Sequence, residues 1–190
     1  MTQRLLPACI ALLVLFIGVS AHAFGGRRTV IQVVDGDTLG LDGGERLRLI
    51  GVDTPETKDP RRPVQYFGRE ATDFTKRAVE GQRIRVEFDQ ANAATGHKDK
   101  YGRTLGYVFR DEDGMFLNAE IIRQGFGHAY TRFPFKHARD FRELERDARS
   151  RNVGLWNDGN VEPKSYTGPR RVVYHYSAAG KKIYGAHQAR

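Results

Sequence analysis

Short hydrophobic runs cut by glycine turns most narrow what this chain can fold into. Residues 30–34 form a β-branched run that stops at Asp35-Gly36-Asp37, and residues 38–41 resume it before Asp42-Gly43-Gly44, a strong hairpin signal. Residues 46–50 alternate, which sends Leu47 and Leu49 toward a core and Arg48 the other way. Residues 83–89 alternate most cleanly, with Ile84, Val86 and Phe88 interleaved with Arg85 and Glu87. Residues 105–109 and 115–117 flank Asp111-Glu112-Asp113-Gly114, a second hairpin. Strands this short, joined by turns this tight, predict antiparallel pairing.

Helical spacing appears in three places. Phe67, Ala71, Phe74 and Ala78 mark one stripe, ended by Gly81. Asn118 suits the cap of a short helix ending at Gly125. After Pro134, a longer helix buries His137 or Ala138, Phe141, Leu144 and Ala148, with Asn152 and Gly154 as stop signals. The order is three strands, a helix, further strands and two helices, with no βαβ alternation and no internal repeat. That order predicts an α+β fold: a small β-barrel with helices packed on it.

The ends read differently from the middle. Arg4, an apolar run over residues 5–19 and Ala21-His22-Ala23 form a signal-peptide pattern over residues 1–23. The run is shorter than the roughly 20 residues a membrane span needs, so the mature form is expected to be exported, periplasmic or secreted, without a membrane anchor. The one cysteine, Cys9, lies in that segment. The mature chain therefore has no disulfide and depends on an ordinary hydrophobic core, for which it is long enough. Beyond Trp156, residues 157–190 form a basic extension carrying four of the eight tyrosines. Aromatics among basic residues suit nucleic-acid stacking, and they equally suit a strand pair packed on the main domain. The formal net charge of +8 points to a polyanionic partner, but it leaves nucleic acid, anionic membrane and acidic glycan equally open.

The motifs separate these. Asp35 and Asp37 stand two apart at a strand end, where extended geometry puts both on one face. Paired carboxylates repel unless a cation lies between them, and Asp53 adds a third at another strand end. A hard divalent ion, calcium or magnesium, prefers such oxygens. Alone, Asp-Gly-Asp is just as well a turn capping its own backbone. Asp53-Thr54-Pro55-Glu56 changes the balance. Pro55 keeps Thr54 extended, so its carbonyl is available beside Asp53. Glu56 lies slightly farther out, where it suits orienting or deprotonating a water. Arg48 and Arg103 supply guanidiniums that match the oxygens of a phosphoryl group gaining charge in its transition state.

DGDT at residues 35–38, RLIGVDTPET at 48–57, DKYGR at 99–103 and VGLW at 153–156 resemble, in order and spacing, the thermonuclease or staphylococcal nuclease-like family. The resemblance implies a five-stranded OB-fold barrel with about three helices over residues 24–156. It implies calcium-dependent hydrolysis of DNA and RNA, single-stranded or frayed, leaving 3′-phosphates. By position, Asp37, Asp53 and the Thr54 carbonyl would hold Ca2+, and Arg48, Glu56 and Arg103 would be catalytic. Lys100, Tyr101 and Tyr130 would contact substrate. Arg132 departs from the pattern, standing near where the family has a second tyrosine over the nucleotide. The histidines show no metal-ligand spacing: His97 reads as solvated, and Trp156 as core. The competing reading, a non-catalytic OB-fold module for single strands, explains the charge but not the acids. Three protein oxygens underfill a calcium shell, so weak metal binding that tightens with nucleotide is expected, in a monomer.

Overall fold

The computed structural model describes residues 24–57, 65–157, 175–176 and 182–183. Residues 1–23, expected to be a signal segment, and most of residues 157–190 lie outside the described residues. In chain order the elements are β1 (Phe24–Asp35), β2 (Thr38–Leu41), β3 (Arg46–Leu49), β4 (Val52–Asp53), α1 (Gly68–Val79), β5 (Arg83–Glu87), β6 (Thr104–Arg110), α2 (Leu117–Arg123), β7 (His128–Ala129), α3 (Ala138–Ser150), β8 (His175–Tyr176) and β9 (Lys182–Ile183). β8 pairs antiparallel with β9.

Strands β1-β2-β3-β6-β5 close into a barrel, as expected of an OB-fold. β1 makes closure possible because it is long enough to serve two neighbours. Its first half pairs with β5 and its second half with β2, with irregular register near Gly26, Val30 and Asp35. Such bulges bend a strand and raise its twist, which a small barrel needs. One pairing departs from the antiparallel expectation: β3 and β6 run parallel, Leu47 opposite Thr104 and Arg48 opposite Leu105. The long connection through α1 and β5 lets β6 return in the same direction.

The alternation holds. Leu39, Leu47, Leu49, Ile84, Val86 and Val108 are buried inside the barrel. α1 buries Ala71, Phe74 and Ala78, together with Thr72 and Thr75, whose hydroxyls face β1. Phe67 is not part of that stripe. It precedes the helix in left-handed backbone and stacks on Phe126, their ring centres 5.5 Å apart.

Two further expectations are corrected. Residues 115–117 are not a strand: Phe116 forms one bridge to Phe109, and Leu117 already begins α2. Asn118 is not the cap. It lies fully buried inside α2, accepting a hydrogen bond from the Val108 amide and donating to the Ile50 and Gly106 carbonyls. It thus satisfies the gap where β3 and β6 part, and fastens α2 to the barrel. α3 buries Phe141 and Ala148 as predicted, and Asn152 and Gly154 take positive φ after it.

Candidate active site

The site begins at the turn between β1 and β2. The chain turns at Gly36-Asp37, so Asp35 and Asp37 do not share the simple extended face expected of them. Asp35 accepts hydrogen bonds from the Gly36 amide and from the hydroxyls of Thr57 and Thr72. Asp37 accepts from the Thr54 amide at 2.9 Å and the Thr54 hydroxyl at 3.1 Å. Thr75 donates to the Gly36 carbonyl at 2.7 Å, so α1 holds the turn from behind. Gly36 is required by space: a Cβ there would meet the Thr54 side chain within 3 Å.

Thr54 belongs to the second segment, which β4 delivers. Its amide is engaged by Asp37, so the Asp53–Thr54 backbone is pinned to the first turn. Glu56 follows, in a loop closed by Gln65, which donates its amide to the Glu56 carbonyl at 3.0 Å and accepts from the Glu56 amide at 2.8 Å. The sequence reading missed Gln65. Gly68 opens α1 so tightly under this loop that a Cβ would press on the Thr57 side chain.

Arg48 joins the two segments. Its guanidinium lies 3.0 Å from an Asp37 carboxylate oxygen and 3.1 Å from Asp53, and donates to the Val52 carbonyl at 2.7 Å. Only 16% of the side chain is exposed. Arg103 sits on the neighbouring strand. Extending the β3·β6 register by one residue places it on the outward face it shares with Arg48. Its position is set by Asp99, which accepts from the Arg103 Nε at 2.7 Å and from the amides of Tyr101 and Arg103. Burial works to raise the Asp99 carboxyl, but these bonds hold it below its usual range.

Tyr101 projects from this hairpin tip with 71% of its surface exposed, and Lys100 and Arg103 approach its ring at 4.9 and 5.4 Å. Tyr130 stands elsewhere, beyond β7, where its amide donates to the Gly51 carbonyl. Its ring centre is 6.1 Å from that of Phe133, an exposed aromatic the sequence reading passed over, and Arg132 leans over Phe133. His97 is not solvated: it stacks on Phe88 with centres 4.3 Å apart. Trp156 is half-buried, covered by Arg149 rather than by core.

The electrostatics describe a site with surplus negative charge. Burial, aided by the charges of Asp37 and Glu56, pushes the Asp35 carboxyl up to about 6 against the pull of the Gly36 amide. Desolvation raises Asp53, Arg48 works against it, and Asp37 adds to it. Crowded carboxylates with one shared arginine fit a hard cation, which would offset the repulsion that now lifts two of them. Among the described residues, no group of three or more His, Cys, Asp or Glu is arranged to hold a metal ion. Of the expected donors, Asp37 and Asp53 meet at Arg48, and the Thr54 amide is bonded to Asp37.

Comparisons with known proteins bear on the family. The family model described as "Staphylococcal nuclease homologue" matches residues 46–158. The thermonuclease of Staphylococcus hyicus is 39% identical over 133 residues, covering 68% of this chain and 75% of that protein. The thermonuclease of Staphylococcus intermedius is 38% identical over 141 residues, covering 72% and 80%. Endonuclease YncB of Bacillus subtilis is 33% identical over 146 residues, covering 74% and 66%. On these matches, and with the closed five-stranded barrel, the chain belongs to the staphylococcal nuclease homologues and is a nuclease of that type.

Proposed function

We propose that this protein is an exported, calcium-dependent nuclease that hydrolyses phosphodiester bonds of single-stranded or frayed DNA and RNA and leaves 3′-phosphates. The observation that carries the reading is Arg48 held between Asp37 and Asp53, 3.0 and 3.1 Å away. It places a phosphate-matching guanidinium and two cation-binding carboxylates in one cluster.

Membership of this family implies a divalent-metal requirement, and Ca2+ is the ion proposed here. Asp37, Asp53 and the Thr54 carbonyl would hold it, where it would supply positive charge to the phosphate oxygens and to a nearby water. The protein's own groups do the rest. Arg48 and Arg103, on one face of adjacent strands, bind the oxygens of the phosphoryl group and strengthen their hold as charge develops. Glu56, on its pinned loop, orients a water and takes its proton. Lys100 and Tyr101 steady the substrate from the hairpin tip, and Tyr130 stacks on a base. We further propose that residues 1–23 are removed on export, leaving the 24–156 nuclease domain with its 157–190 extension as a monomer.

Digestion of single-stranded DNA by the purified mature chain tests this. Cleavage with calcium, abolished by chelator and by Glu56→Gln, is expected, with 3′-phosphate ends on the fragments. Cleavage indifferent to chelator would refute the metal assignment.

A further inference from the structure

The outward surface of α3 is charge-sorted in a way the catalytic cluster does not require. Arg139, Arg142, Arg146 and Arg149 fall three, four and three residues apart and line one edge of the helix. Asp140, Glu143 and Asp147 line the opposite edge, across the buried Phe141–Ala148 stripe. The helix is nearly balanced in composition, yet each edge has one sign. Glu145, between the arginines and the buried stripe, faces inward: it accepts from Arg149 at 3.0 Å and meets the His128 ring at 3.3 Å.

That contact fixes which way the arginines look. His128 is the register partner of Asp53 across β4 and β7, so the arginine edge lies on the flank of α3 toward the catalytic cluster. A second tie agrees: Arg142 Nε donates to the Thr131 hydroxyl at 3.3 Å, within the loop that carries Tyr130 and Phe133. The ties of His128 to Glu145 and of Thr131 to Arg142 thus set the arginine edge beside Asp53's strand partner and the loop of the two exposed rings. Arg139 and Arg146 are 86% and 74% exposed, and their nearest acids lie at 3.9 and 4.0 Å, too loose and too wet to neutralise them. The four arginines, with Glu145 engaged by Arg149, line an open hollow of about 500 Å3. From Arg139 to Arg149 the helix rises about 15 Å, a length matched by a few nucleotides.

We infer that the arginine edge of α3, entered over Tyr130 and Phe133, is a second binding track for single-stranded nucleic acid. It holds phosphates of the strand several nucleotides from the bond being cut. The inference rests on the nuclease reading and extends it: the enzyme takes long strands by preference, because short ones end before reaching α3. Exposed aromatics stack bases without regard to sequence, and guanidiniums follow the backbone.

Fluorescence anisotropy in chelator, where nothing is cut, decides it. The probes are a labelled trinucleotide and a labelled single-stranded oligonucleotide of about 12 nucleotides. The variant Arg139→Gln/Arg142→Gln/Arg146→Gln should bind the longer probe about ten-fold more weakly. Its log–log salt slope should fall by roughly 2, near 0.7 per lost phosphate contact. Trinucleotide affinity should not change. The same three positions changed to Lys should keep the slope, and Asp140→Asn/Glu143→Gln/Asp147→Asn should not weaken binding. Equal losses on both probes, or an unchanged slope, would overturn the track. So would long-probe affinity that holds while binding to phosphatidylserine vesicles is lost, which would make α3 a lipid surface. Cleavage of both probes by the wild-type chain in calcium is run alongside. A slow or absent trinucleotide cut fits the preference for long strands. Failure to cut the longer oligonucleotide in calcium would count against the nuclease reading, while the anisotropy would still decide the track.

Discussion

Two groups of acids in this barrel are built in opposite ways. Asp89 lies at the end of β5, where burial works to raise its carboxyl. Hydrogen bonds from the Lys136 amide, the Tyr107 hydroxyl and the Ala91 amide outweigh that and hold it below its usual range. Burial, and then its contact with Asp89, drive the Tyr107 hydroxyl upward. Asp35, Asp37 and Asp53 are instead crowded against one another, and burial and mutual repulsion push Asp35 up to about 6. A carboxylate surrounded by neutral donors is finished: it fastens the segment before α3 to the barrel. Asp35 and Asp37 also accept hydrogen bonds, but they repel each other and Asp37 shares one guanidinium with Asp53, and we propose that a cation supplies the missing charge.

The comparison breaks most visibly at Arg48 and Arg103. Arg48→Ala and Arg103→Ala are each expected to lower turnover by roughly 10²- to 10³-fold, the scale of losing one charge-stabilising donor. Circular dichroism should remain unchanged. Arg48→Ala carries a second signature: with the guanidinium gone from between Asp37 and Asp53, calcium should bind the nucleotide-free protein more tightly than wild type. Weaker calcium binding in that variant would show that Arg48 assembles the site rather than competing within it.

At Asp89 the expectation reverses. Asp89→Ala leaves three donors without their acceptor and should cost on the order of 3 kcal/mol of stability by chemical denaturation. Turnover of the folded fraction should stay near wild type. A large loss of turnover at full stability would erase the distinction between the two acid groups.

The smallest effect is on pH. His137, next to Lys136 and the residue before α3, is held below its usual value by burial and by Lys136, with Asp140 and Asp89 opposing. Its folded-state pKa lies below the unfolded value near 6.5, so the unfolded chain takes up the proton first. The His137 contribution is complete above about pH 6.5 and falls as pH drops from there toward its folded pKa, by at most about 1.4 kcal/mol per pH unit. It runs against the opposite contribution of Asp35, whose raised carboxyl takes up its proton first in the folded chain. Asp89, also depressed, adds a further loss below its unfolded value of 3.8. His137→Gln should flatten the first part of that slope; an unchanged slope would remove His137 as its source.

Much of this was legible because local pattern and tertiary role coincide. Leu47 and Leu49 alternate into the core, and that alternation alone turns Arg48 outward. Ala71, Phe74 and Ala78 mark a helix because only a helix puts them together. What escaped depended on distant partners. Asn118 looks like a cap because caps and buried amide bridges use the same residue, and only Ile50, Gly106 and Val108 distinguish them. The parallel β3·β6 pairing has no local sign. His97 reads as solvated until Phe88 is placed beneath it, and nothing local marks Phe133 as an exposed ring. Within the site, the residue types were plain, but the guanidinium shared by Asp37 and Asp53 and the Gln65 clasp on Glu56 emerge only from the fold.

The claim that most needs testing is that the crowded acids are a metal site completed by substrate. Calorimetric titration of the mature chain with calcium, alone and with a non-cleavable nucleotide analogue, tests it directly. The account predicts weak binding alone and distinctly tighter binding with the analogue, because Asp37, Asp53 and the Thr54 carbonyl supply fewer oxygens than the six to eight calcium takes. Equal affinities in the two titrations, or no calcium binding in either, would contradict it.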